Sequence, residues 1–265
     1  MGAGVEKLSW PLELNLYQPL EGNQMLLPER ASCLAVQVYL RMCCLPFAVH
    51  SVPNATYMSP GGRLSKLPLM RAGKSILAEF QPIADFVERH AQDHEGAHSL
   101  NRWLGEEQRD DMRSVVSYVE NTFSLAELHM SFVDDQIYKL YTAPRTTNTN
   151  PWPLSTMLRH TRRRQAIQLL KVYQWQDMDE AAVLDQLAGC CELLCDNHLN
   201  DKGFLCGNKP CELDALVYGH VSTVLTTQLP NKSLARELQY FEPLVSLCQR
   251  VADEFNEGKQ LTLKQ

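Results

Sequence analysis

Apolar and polar positions along the chain change period part-way through. Leu12 to Tyr17 alternates, which predicts a half-buried strand. Ser32 to Met42 is apolar nearly all round, interrupted by Gln37 and Arg41, and predicts a helix buried on most of its circumference. Phe47 to Val52 reads as a second strand, and a turn-rich stretch from Pro53 to Gly62 follows. Leu69–Arg71 and Ser75–Ala78 flank Ala72-Gly73-Lys74 as a hairpin. From Phe80, apolar residues at Phe80, Ile83, Ala84 and Val87 keep a helical stripe, with Pro82 in the first turn, where its missing N–H costs nothing.

The order β-α-β-loop-β-β-α is a thioredoxin-type layout. His90 to Asn101 is polar and reads as a linker, and beyond it the pattern is helical throughout. Met112, Val115, Val116, Val119, Phe123, Ala126, Met130 and Val133 hold one face of a long helix. A loop rich in Thr, Asn and Pro is expected over Thr142–Pro153. Further helices are expected over Leu154–Trp175, Glu180–His198, Glu212–Leu229, Ser233–Phe241 and Pro243–Asn256, with Asp177 and Glu180 resembling a capping box. The fold class is α+β: a thioredoxin-like domain over residues 1–92 and an all-α domain over 93–265.

Composition narrows the function. Of 265 residues, 45% are hydrophobic, enough for a substantial core, and the formal net charge of −6 disfavours phosphate backbones. No nucleic-acid partner is expected. The start lacks the pattern of a secretory signal, and Glu6 stands where a myristoylation motif takes Ser or Thr. No apolar run approaches the ~20 residues of a spanning helix, and Asn256 to Gln265 is polar, so membrane association is expected to be peripheral, through partners. The nine cysteines, two pairs of them adjacent, read as reduced thiols of a reducing compartment.

Candidate chemistry is thin. No C-x-x-C occurs, which removes a dithiol mechanism. Cys33, expected near the start of the first helix, could have its thiol activated by the helix dipole; the packed-thiol reading competes, because the stretch from Tyr17 to Ser32 reads as a long loop. Cys190 falls on an apolar stripe. Cys206 and Cys211 straddle a Gly-Asn-Lys-Pro turn like half a zinc knuckle without its other half, and His90, His94 and His98 fall in polar surroundings. No metal or cofactor is expected. Arg159, Arg162, Arg163, Arg164 and Lys171 form the one basic concentration; Arg162 falls inside an apolar arc of Leu158, Ala166, Leu169 and Tyr173, which predicts an ion pair or an interface contact.

Two segments carry a resemblance. Leu64-Ser65-Lys66-Leu67-Pro68-Leu69, then Gly73 and Ala78-Glu79-Phe80, resembles the half of the glutathione-transferase fold in which a proline, cis in that family, precedes the third strand. Phe204 to Ala215 resembles the start of that family's buried C-terminal-domain helix. Within the superfamily, Asn54 to Gly62, Pro151-Trp152-Pro153-Leu154, Leu34-Ala35-Val36-Gln37 and Glu212 to His220 are similar to the metaxins, in particular to the branch without a C-terminal membrane segment.

The resemblance implies a non-catalytic subunit at the cytosolic face of the mitochondrial outer membrane. It would be held by a membrane-anchored metaxin paralogue in a hetero-oligomer and work with the β-barrel sorting and assembly machinery. Motor or adaptor proteins of mitochondrial transport are further implied partners. Phe80 stands where glutathione transferases usually place the Ser that holds the γ-glutamyl group, and Cys211 replaces the usual capping Thr or Ser. The alternative is a divergent glutathione transferase using Tyr17 or Cys33. The partner-binding candidates are Leu67 and Pro68, through strand-type pairing with an extended peptide, and the arginine face of Arg159, Arg162, Arg163 and Arg164.

Overall fold

The computed structural model describes residues 13–53, 55, 67–92, 99–148, 150–199 and 202–255. Four strands, β1 (Leu14–Gln18), β2 (Phe47–Ser51), β3 (Leu69–Ala72) and β4 (Ser75–Ala78), form one sheet in the order β2-β1-β3-β4. β1 runs parallel to β2 and antiparallel to β3, with Leu16 opposite Val49 on one side and Met70 on the other. The β3–β4 hairpin turns at Gly73, whose φ of 59° suits a residue without Cβ. Helices α1 (Leu27–Met42) and α2 (Phe80–Gln92) pack on this sheet, and Phe80 sets its ring edge-on to Tyr39 at 5.8 Å.

α1 begins five residues before the expected Ser32. Pro28 occupies its first turn, and Glu29 Oε2 accepts the backbone N–H of Leu26 at 2.9 Å, so two early donors are accounted for. Cys33 therefore lies in the second turn rather than at the start. His90, expected in a linker, is helical: its ring packs on Phe86 at 4.0 Å and its Nδ1 bonds the Phe86 carbonyl. His94 and His98 lie outside the described residues, as do Asn54 and Thr56–Lys66 of the turn and motif segments.

The helical half opens with α3 (Glu106–Phe132), whose face from Met112 to Met130 is buried as the spacing predicts. The loop expected from Thr142 is helical instead. α4 (Asp135–Ile137) passes through a π turn (Tyr138–Thr142) into α5 (Ala143–Thr147). Pro144 stands in the first turn of α5, where it removes no bond, and the hydroxyls of Thr146 and Thr147 donate back to the Ala143 carbonyl. α6 (Leu154–Val172) and α7 (Glu180–Leu193) follow; a second π turn (Leu194–Leu199) prolongs α7. The cap of α7 is Asp179, which accepts from Ala182 N at 2.8 Å, not Asp177.

α8 (Glu212–Thr226) is buried at every residue from Glu212 to Val224, and α9 (Ser233–Gln239) and α10 (Glu242–Phe255) complete the bundle. The densest packing between elements is α1 on α8. A Cβ on Gly219 would stand 2.6 Å from both the Ala31 carbonyl oxygen and the Ala35 Cβ, so the two helices cross at backbone contact. One continuous core runs from Leu14 and Leu16 through Val36 and Val217 to Leu247 and Val251. Cys190 and Cys191 lie wholly inside it, as packed thiols.

A cleft between the two halves as the candidate functional site

A cleft of about 630 Å³ opens between the sheet-bearing half and the bundle. One wall is the start of α1 (Leu26, Pro28, Glu29, Ser32) with Leu67 and Glu79; the facing wall comes from α3 and α6, and His220 of α8 closes the inner end. The fold thus brings Leu67 and Arg162, distant in sequence, to one site. Arg162 Nη1 reaches Glu29 Oε1 at 4.0 Å across the cleft, which answers the requirement that an arginine in an apolar arc find a carboxylate. Burial raises the Glu29 carboxyl pKa, and the Arg162 charge and the Leu26 N–H pull it back.

The other arginines part company. Arg163 stacks over the Tyr138 ring at 4.0 Å, while Arg159 and Arg164 are exposed and do not line the cleft. Leu67 is 2% exposed and packs with Met25, Cys33, Ala55 and Leu69. The Leu67–Pro68 bond is cis, the Pro68 carbonyl accepts the Glu79 N–H at 3.2 Å, and Glu79 adopts a φ of 73°.

At the inner end His220 Nδ1 lies 2.8 Å from Glu127 Oε1, both side chains almost fully buried, and the Phe123 ring packs on the imidazole at 5.4 Å. Burial raises the Glu127 carboxyl pKa; the histidine opposes the shift. Glu127 Oε2 has no hydrogen-bond partner among the described residues.

The apolar arc of α6 is only partly covered. Ala166 and Leu170 are buried, whereas Leu169 and Tyr173 are 39% and 48% exposed. Val172 (75%) and Met157 (69%) stand in solvent, and Trp152, just before α6, is 81% exposed. Leu158, Leu169, Val172 and Tyr173 line the cleft. An amphipathic pattern reports which face is apolar, not what covers it; here the apolar face borders an open cleft.

Neither enzymatic candidate reaches this site. Tyr17 stacks on His50 with centroids 5.2 Å apart and does not line the cleft. Cys33 is buried, and desolvation, with Glu29 and Glu21 nearby, pushes its thiol well above the ordinary range, the reverse of the activation a helix dipole would give. Phe80 is 1% exposed. Among the described residues no cluster of three or more His, Cys, Asp or Glu side chains could hold a metal ion, and no helix is long and apolar enough to cross a membrane.

Comparison with known proteins places this geometry in a family. A family model described as an outer mitochondrial membrane transport complex protein matches residues 33–163, and one described as a glutathione S-transferase C-terminal domain matches 188–251. Metaxin-2 of Homo sapiens is 34% identical over 94% of this chain and 91% of the human protein. The metaxin-2 homolog of Caenorhabditis elegans is 32% identical over 82% of this chain and 90% of its own length, and metaxin-1 of Mus musculus is 26% identical over 82% and 68%. In fold, the chain superposes on the apo structure of glutathione S-transferase III with a TM-score of 0.56 at 15% identity, covering 91% of each chain. It superposes on human glutathione S-transferase T1-1 with a TM-score of 0.51 at 15% identity, covering 94% and 93%. With a glutathione-transferase fold and a sequence similar to metaxin-2 along almost its whole length, the chain belongs to the metaxin family.

Proposed function

We propose that this protein is a non-catalytic subunit of the mitochondrial outer-membrane complex that imports and assembles β-barrel proteins. It sits peripherally on the cytosolic face and is held there by a membrane-anchored metaxin paralogue. The family relationship supports the complex. The observation that carries the mode of action is the open apolar face of α6, continuous with the cleft that Leu67 and the Glu29–Arg162 pair line. A protein segment with an apolar face would bury Met157, Val172 and Tyr173, and an extended one could reach Leu67. The Pro68 carbonyl is already engaged and the Leu67 side chain almost fully buried, so such a segment would end against that wall of the cleft without pairing with it.

Val172→Asp and Met157→Glu change side chains that are mostly in solvent, so the fold should stand. In a gentle-detergent pull-down from mitochondria, wild-type protein should bring down an anchored metaxin and β-barrel assembly components. The double variant, melting at the same temperature, should lose at least one of them. Undiminished recovery with the double variant would remove the α6 face from the proposal, and recovery of neither component with wild type would remove the complex.

The glutathione-transferase fold raises one second reading, a divergent glutathione transferase. That reading requires retention on immobilised glutathione and thiol-transfer activity lost on changing Tyr17 or Cys33, and the positions of Tyr17, Cys33 and Phe80 all argue against it.

A further inference from the structure

Cys206 and Cys211, left without a role as a zinc half-site, meet across the turn that starts α8. Their Sγ atoms are 3.1 Å apart, and Cys211 Sγ lies 3.1 Å from Asp214 Oδ2. The turn between them is fixed on both flanks by one carboxylate: Asp214 accepts the Leu205 N–H at 2.8 Å through Oδ1 and the Cys211 N–H at 2.8 Å through Oδ2. A backbone bridge between Phe204 and Gly207 closes the turn, and Gly207, with φ of 150°, leaves room for the Trp103 indole. Cys206 is half-buried and within reach of solvent; Cys211 is fully buried.

We propose that Cys206 and Cys211 form a reversible disulfide on reaction with a small-molecule disulfide. The half-exposed Cys206 thiolate attacks one sulfur of the reagent, whose S–S bond breaks and whose departing thiolate takes up a proton. The Cys211 sulfur then gives up its proton to the second departing thiolate and attacks Cys206, breaking the mixed disulfide. Two protein thiols lose two protons and two electrons, and one small disulfide takes them up and is reduced to two thiols. The sulfurs need approach by only about 1 Å to reach bonding distance. With the flanks of the turn already tied to Asp214, this second step is intramolecular and favoured over persistence of the mixed disulfide.

The test uses the full chain and glutathione disulfide, followed by alkylation of remaining thiols, trypsin and mass spectrometry. Because Pro210 protects the Lys209 bond, Cys206 and Cys211 leave on one peptide, Gly203 to Lys232. The expected result is that this peptide appears two hydrogens lighter and unalkylated. It should return to the doubly alkylated form after treatment with a dithiol reductant, and the lighter form should be absent from Cys206→Ser, which leaves the Asp214 contacts in place. The exposed Cys44 serves as internal control and should carry a stable glutathione adduct. Two results would overturn the proposal: double alkylation of the peptide while Cys44 is modified, or a lasting glutathione adduct on Cys206 beside an alkylated Cys211.

Discussion

At Cys211 the chain places a thiol where a helix start ordinarily takes a hydroxyl, and a thiol is the weaker acceptor. Under reducing conditions Cys211→Thr should raise the melting temperature, by a stabilisation of ~1 kcal/mol, the usual contribution of a cap. Equal melting curves would show that the Asp214 half of the capping box carries the helix start alone. Asp214 itself has its pKa pushed up to about 6, burial outweighing the N–H and S–H donors around it. A folded-state value above the unfolded one means the folded protein binds the proton more tightly. That contribution is therefore fully present below the unfolded value near 4 and is lost as pH rises through 6. Asp214→Asn lacks this proton. The stability of wild type minus that of Asp214→Asn should fall between pH 4 and pH 7, by up to ~3 kcal/mol, in denaturant titrations at the two pH values. A flat difference would show that the carboxylate is already ionised in the fold at pH 4.

The helices differ in how much they owe to local pattern. α3 and α8 are legible because each is apolar over several turns, and α8 also carries a recognisable start in Phe204 to Ala215. The early start of α1 was also written in the chain, in Pro28 and Glu29, but was masked by reading the apolar run alone. The helical stretch through Thr142–Thr147 was not legible: its Thr and Pro residues suit a loop equally well, and the back-bonding hydroxyls that reconcile them with a helix depend on the helix already existing. The cleft was half legible. Leu67 and Arg162 could be singled out as unusual residues, but their meeting, and the Glu29 partner, depend on how α1 and α6 face each other. The α1–α8 crossing is likewise invisible to periodicity, since Gly219 reads in sequence only as a weak helix former. Gly219→Ala would force a methyl group into the Ala31 and Ala35 backbone. Overpacking of this kind costs ~1–3 kcal/mol, so a clear drop in melting temperature is expected; an unchanged one would mean the helices slide apart freely.

For the whole molecule, the sheet half and the bundle share one hydrophobic core rather than two cores in contact. The chain is mildly acidic, with a net charge of −6, and among the described residues no helix is long and apolar enough to cross a membrane. The exposed face of α6 belongs to the bundle, while the opposite wall of the cleft belongs to the sheet half, so any change in how α1 sits on α8 alters the shape of the cleft. The interlocked α1–α8 crossing also bears on what happens when the backbone is cut. A protease nick between Gln92 and Ser99 would leave two fragments, each holding one side of a glycine-sized groove that nothing in water can fill as well. The nicked protein should therefore elute as one particle, and the two pieces, expressed as separate genes, should find each other and complement: a natural split protein whose seam is the Gly219 crossing.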